Sequence, residues 1–235
     1  MIYVVSDIHG CYEQYQKLLK AIKFTDKDDL YVLGDVVDRG PEPMKVLQDM
    51  MLRHNVYPVL GNHEYMAMKV LRKLNVEISP DNVGTHLSSE DLMNFTYWAQ
   101  DGGDTTAADF RKLSAEEKED ILEYLEEFAL YDEVVVKGKR YVMVHADLHD
   151  FSEEKELDDY DLTDLILHRA DYDKRYFKDE NTFLITGHTP TFLINEDQSP
   201  CVYQKNGHIA IDCGCFYGER LAAYCIDTGK VTYVE

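Results

Sequence analysis

The chain has 235 residues, 45% hydrophobic and 11% aromatic, which suits one domain with a full core and excludes global disorder. Its 24 basic and 45 acidic residues leave a formal net charge of −21, which repels nucleic-acid phosphates and argues against nucleic-acid binding. The five cysteines are too few and too odd in number for a disulfide scaffold; together with no signal peptide and no apolar run near the roughly 20 residues of a membrane span, they point to a cytoplasmic protein.

Residues 2–6 are a short β-branched run that ends at Asp7-Ile8-His9-Gly10. Tyr12, Tyr15, Leu18, Leu19 and Ile22 then recur at helical spacing. A second strand at 30–33 ends at Gly34-Asp35, a helix is expected over 41–54, and a third strand at 56–60 ends at Gly61-Asn62-His63-Glu64, followed by a helix to about residue 74. This β-α-β-α-β order favours a mostly parallel sheet, whose strand ends form the ligand crevice. Residues 75–112 are polar, poorly periodic and contain Gly102-Gly103, and read as an inserted, partly helical cap. Ser114 and Glu117 form a capping box that opens a helix to about residue 130. A hairpin over 134–136 and 140–144 ends at His145, and further strands are expected at 183–186, 208–212, 221–226 and 231–234. Cys213 and Cys215 read as small core residues of an alternating stretch. The whole chain, 1–235, reads as a single α/β domain of two packed sheets flanked by helices.

The polar residues at the strand ends share a chemistry. Divalent cations take carboxylate oxygen and imidazole nitrogen, and a pair of them needs one bridging carboxylate. Asp7-x-His9, Gly34-Asp35, Gly61-Asn62-His63, His145 and Gly187-His188 supply such groups in order, each after a strand. Gly34, Gly61 and Gly187 precede ligand candidates, where tight backbone approach is useful.

Ser6-Asp-Ile-His-Gly10, Gly34-Asp-Val-Val-Asp-Arg-Gly40, Gly61-Asn-His-Glu64, Val144-His145 and Gly187-His-Thr-Pro190 resemble the signature blocks of the calcineurin-like metallophosphoesterases. The blocks are similar to those of PPP-type serine/threonine phosphatases of the bacterial and phage branch, and to the diadenosine-tetraphosphate hydrolases close to them. The resemblance implies a four-layer sandwich with two mixed β-sheets. It implies two divalent metal ions, manganese or iron most commonly and zinc as an option. Asp7 and His9 would hold the first, Asp35 would bridge both, and Asn62, His145 and His188 would complete the second. A metal-bridging hydroxide would attack phosphorus in line. His63 would protonate the leaving group, oriented by Asp38, while Arg39 and Arg169 would fork the phosphate, with Arg175 as the alternative to Arg169. Asn62 and Tyr217 would also touch substrate. Ala146-Asp147 departs from the usual Gly after His145, which puts a carboxylate near the site.

The resemblance leaves two substrates open. The reading preferred on sequence is a serine/threonine protein phosphatase, because residues 147–164 carry nine acids against Lys155, a poor surface for a polyphosphate. The alternative is a bis(5'-nucleosyl)-tetraphosphatase, which should present basic and aromatic groups instead. Either way the partner is a phosphorylated protein or small phosphoester, with no nucleic acid and no membrane.

Overall fold

The computed structural model describes residues 1–76 and 87–235. In chain order the main elements are β1 (Ile2–Val5), α1 (Tyr12–Ile22), β2 (Asp29–Leu33), α2 (Pro43–Met51), β3 (Val56–Val59) and α3 (Asn62–Leu74). Then come α4 (Ser89–Trp98), α5 (Asp104–Phe110), α6 (Ala115–Glu126), β4 (Tyr131–Val136), β5 (Lys139–Val144) and α7 (Leu162–Ile166). The last strands are β6 (Thr182–Thr186), β7 (Tyr203–Lys205), β8 (His208–Ala210), β9 (Leu221–Cys225) and β10 (Val231–Val234).

The strands form two five-stranded mixed sheets, ordered β10-β9-β1-β2-β3 and β4-β5-β6-β8-β7. β1, β2 and β3 run parallel, as do β5, β6 and β8; the outer strands join antiparallel. Strand alternation builds the layers. Val4, Leu33 and Val59 face Tyr141, Met143, Ile185 and Ile209 in the seam between the sheets. Their chain neighbours Val5 and Val32 point outward to α1, α2, α3, α5 and α6, while Val142 and Val144 point the other way to Leu165 and Ile166 of α7. The result is the expected arrangement of two mixed sheets flanked by helices.

Beyond shifts of two or three residues at the ends of α2, β4 and β8, three elements differ from the sequence reading. The helix opened by Ser114 stops at Glu126, because Ala129 leaves it to pair with β3: its N–H donates to Pro58 O at 3.1 Å and its carbonyl accepts from Leu60 N–H at 2.7 Å. The strand β7 lies outside the strands expected from sequence, being three residues long and exposed on two of them. In the segment 75–112, residues 77–86, His86 among them, lie outside the described residues. The rest forms α4 and α5, joined by a wide turn at 99–103 where Gly102 has φ +99°. Trp98, Ala107 and Phe110 pack into the core shared with α2 and α3, so these helices are integral to the helical layer.

Candidate metal centre

Parallel pairing continues past the strands and draws their C-terminal ends together. Asp7, His9 and Gly10 donate N–H bonds to Gly34, Asp35 and Val36, at 3.1, 2.9 and 2.7 Å. In the second sheet Gly187 N–H reaches His145 O at 2.8 Å. Asp7 follows β1, Asp35 follows β2, Asn62 and His63 follow β3, His145 follows β5, and His188 follows β6. The turns are unusually tight. Asp7, His9, Asp35, Asp38, Arg39 and His188 all have positive φ, six of the eleven non-glycine residues that do so among those described. Such conformations cost of order 1–3 kcal/mol each and persist only where surroundings enforce them. Two glycines make room. A Cβ on Gly61 would lie 2.4 Å from Asp35 Oδ1, and one on Gly187 would lie 2.2 Å from Asp7 Oδ2.

Asp35 sits at the centre. Its Oδ2 lies 3.7 Å from His9 Nε2 and 3.9 Å from His63 Nε2; its Oδ1 lies 3.4 Å from His145 Nε2 and accepts His63 N–H at 3.2 Å. Asn62 Oδ1 lies 3.0 Å from His145 Nε2 and 3.1 Å from His188 Nδ1, and those two nitrogens are 3.2 Å apart. Among the described residues two groups bring possible ligand atoms within 4.8 Å of one another: His9, Asp35 and His63, and Asp35, His145 and His188. Asp7 is close by but belongs to neither group. Its two oxygens accept the His188 N–H at 3.1 and 3.0 Å.

This donor set fits divalent cations. His145 Nδ1 lies 2.8 Å from Leu33 O and His9 Nδ1 lies 2.9 Å from Val37 O, so backbone carbonyls commit those nitrogens and aim Nε2 inward. With that proton committed, Asp35 Oδ1, Asn62 Oδ1, His145 Nε2 and His188 Nδ1 share at most one proton between them; a cation satisfies all four. Burial pushes His9 down to about 3 and His188 to about 4, keeping both in the neutral form that binds metal. Asp7 is driven upward by burial and by the neighbouring Asp212 and Asp35 carboxylates. Asp35 moves the opposite way, four histidines overcoming its burial.

A second group lies beside the first. His63 Nδ1 is 2.7 Å from Asp38 Oδ2 and both side chains are fully buried; among the described residues His63 Nε2 has no hydrogen-bond partner, its nearest carboxylate oxygen being Asp101 Oδ2 at 3.6 Å. Burial opposes a charge on His63, but Asp35, then the hydrogen bond and charge of Asp38, override it and raise the imidazole to about 9. Arg39 Nη1 lies 2.9 Å from His9 Nε2 and its Nη2 donates to Asp101 at 3.0 Å. Arg169 and Tyr217 line the same cavity of about 410 Å³ with Asp35, Asn62, His63, Asp101, His188, Phe192 and Leu193. Arg175 does not reach it: its guanidinium donates to the carbonyls of Phe177 and Asp179. Asp147 is not a cavity residue either, being buried and taking a 2.5 Å hydrogen bond from Tyr176.

Sequence reasoning passed over four residues here. Glu64, fully buried, accepts backbone N–H bonds from Val36 (2.7 Å) and Val37 (3.1 Å) on one oxygen, and from Asp35 (2.8 Å) and Gly61 (3.0 Å) on the other. It staples the Asp35 turn to the start of α3. Asp212, after β8, is buried beside Asp7 and raised by burial to about 7. Trp98 and Thr106 hydrogen-bond Asp38. Only Glu64 left a signal, as the last residue of Gly61-Asn-His-Glu64.

The calcineurin-like phosphoesterase family model matches residues 1–234. The chain belongs to that family. It is a metallophosphoesterase, and the family implies divalent metal ions at the His/Asp groups described above. A symmetrical bis(5'-nucleosyl)-tetraphosphatase of Wigglesworthia glossinidia brevipalpis is 35% identical over 98 residues, 41% of this chain and 36% of that protein. A protein of the same name from Nitrosococcus oceani is 36% identical over 99 residues, again 36% of its length. The match thus spans about a third of these relatives. A solved structure provisionally assigned as a diadenosine tetraphosphatase aligns with a TM-score of 0.60 at 20% identity, covering 99% of this chain and 92% of that one. A Saccharomyces cerevisiae protein serine/threonine phosphatase aligns at 0.57 and 14% identity, covering 100% and 79%. These two share the fold. Among the described residues no helix is long and apolar enough to cross a membrane.

Proposed function

We propose that this chain hydrolyses a dinucleoside tetraphosphate. The observation that carries the reading is the make-up of the cavity: two guanidinium groups, Arg39 and Arg169, beside Phe192, Leu193 and Tyr217. Leu193 and Tyr217 are 60% and 56% exposed, and Phe216 next to them 40%, a solvent-facing shelf suited to a nucleobase. The acidic run that favours a peptide substrate on sequence does not line this cavity. Its residues 151–153, 155–157 and Tyr160 line a different one, with Val135, Gly138, Arg140, Phe177, Asp179 and Thr182. The tetraphosphatase names of the sequence relatives support the same choice.

In this reading Asp7, His9, Asp35, Asn62, His145 and His188 would hold the divalent cations. When bound, such cations neutralise phosphate charge and activate water near neutral pH. Arg39, released from His9 and Asp101, forks phosphate oxygens together with Arg169. His63 presents Nε2 to the leaving oxygen and gives it a proton or a hydrogen bond, while Asp38 holds Nδ1. Asn62 and Tyr217 flank the substrate.

One observation favours a second reading, a phosphoserine or phosphothreonine substrate. A diphosphate leaving group needs little help from an acid, whereas an alkoxide needs a proton, and His63 is elaborately held to supply one. The test compares kcat/KM for diadenosine tetraphosphate and a phosphothreonine peptide with manganese added. Tyr217→Ala and Leu193→Ser are assayed alongside. The proposal expects preference for the dinucleotide, with a raised KM for it in both variants and little change on para-nitrophenyl phosphate. Faster turnover of the peptide, with the shelf variants indistinguishable from parent, overturns it in favour of the second reading.

A further inference from the structure

We infer that Trp98 and Thr106, carried by helices α4 and α5, are positioning residues that orient Asp38 and through it His63. The inference rests on the reading of His63 as the group that protonates the leaving oxygen. Asp38 is fully buried and receives three hydrogen bonds. His63 Nδ1 and Trp98 Nε1 both reach Oδ2 at 2.7 Å, and the Thr106 hydroxyl donates to Oδ1 at 2.6 Å. The Thr106 oxygen in turn accepts the Asp38 backbone N–H at 2.8 Å, so the hydroxyl grips side chain and main chain of one residue together.

Asp38 has φ +69° and Arg39 has φ +65°, so the turn that bears them needs external support. The turn between α4 and α5 supplies it. Arg39 N–H donates to Gly102 O at 2.9 Å. A Cβ on Gly102 would meet Arg39 Cγ at 2.6 Å, and one on Gly103 would meet the Trp98 indole at 2.3 Å. The Gly102-Gly103 pair is therefore what lets the wide turn between α4 and α5 wrap the Asp38-Arg39 turn and press the indole against the carboxylate. Indole N–H is a donor with no other protonation state in reach, and together with the hydroxyl it leaves Asp38 a single orientation in which Oδ2 faces His63.

The test uses the full chain with manganese added, and compares phenyl phosphate, a poor leaving group, with para-nitrophenyl phosphate, a good one. Trp98→Phe keeps the ring and loses the N–H; Thr106→Val loses the hydroxyl and Thr106→Ser keeps it. We expect Trp98→Phe and Thr106→Val to lower kcat on phenyl phosphate about tenfold to a hundredfold, with at most a few-fold loss on the nitrophenyl ester. Thr106→Ser should restore the parent rate. In an Asp38→Asn background the Trp98→Phe loss should vanish, because the path through Asp38 is already cut. Equal losses on both esters, or an undiminished loss in the Asp38→Asn background, overturn the inference and leave Trp98 a packing residue. His63→Asn is the control for the acid itself. If it shows no leaving-group selectivity, that reading fails, and the positioning role is decided by proton NMR: a downfield His63 Nδ1–H resonance that moves in Trp98→Phe supports it, and one that stays put overturns it.

Discussion

Glu64→Gln changes one oxygen to an amide nitrogen and leaves the side-chain volume nearly untouched. Its cost follows from the four N–H groups that the carboxylate accepts. Whichever way the new amide lies, its nitrogen confronts two donors, Asp35 and Gly61 at one oxygen position or Val36 and Val37 at the other. Each buried donor left without an acceptor costs about 1–3 kcal/mol, so the variant should lose about 2–6 kcal/mol. Against a typical total of about 5–15 kcal/mol, that leaves a folded but weakened protein. Because the lost bonds fasten the turn carrying Asp35 to the helix carrying Asn62 and His63, manganese affinity should fall as well. Urea unfolding followed by far-ultraviolet circular dichroism, on protein stripped of metal, gives the first number; elemental analysis after dialysis against manganese gives the second. A Glu64→Gln protein within about 0.5 kcal/mol of parent, with undiminished metal content, would refute the staple argument.

Two other expectations follow from the site and the core. His63→Asn should retain metal and lose about 10²–10⁴ in turnover on an ester with a poor leaving group, and much less on an activated aryl ester; equal loss on both removes His63 from the acid role. His208 is fully buried against Thr186, Tyr172 and Tyr176, and burial holds it down to about 3. A folded-state value below the unfolded 6.5 means that the unfolded chain takes up the proton first, so stability is unaffected above pH 6.5 and is lost as pH falls below it. His208→Gln should remove about 2 kcal/mol of the drop in unfolding free energy between pH 7 and pH 5, measured by urea titration at each pH; an unchanged slope contradicts the buried neutral imidazole.

The architecture was legible because its signals are periodic and local. Short apolar, β-branched runs at 2–6 and 140–144 mark one strand of each sheet, and β10 falls at Val231–Val234 as the sequence reads. The strand β7 was missed although Asn206-Gly207, both at positive φ, is a strong two-residue hairpin turn; the flanking run was too short and polar to register as a strand. The residues Asp35, Asn62, His63, His145 and His188 meet at one cluster, as their places after successive strands required. What sequence did not carry was contact between distant turns. Nothing adjacent to Trp98 or Thr106 marks them as partners of a carboxylate some 60 positions earlier, and the acidic run at 147–164 gave no hint that it borders another cavity.

The two sheets contribute unequally to the cluster, the first through His9, Asp35, Asn62 and His63, the second through His145 and His188, and Asp35 reaches both. Any ion seated there doubles as a rivet through the open edge of the sandwich. Chelation should then loosen that edge ahead of the far one, so that amide hydrogens near 34–37 and 187–188 exchange sooner while those of β4 and β10 keep their pace. Occupancy of the centre and the rigidity of the halves that build it are in this sense a single property.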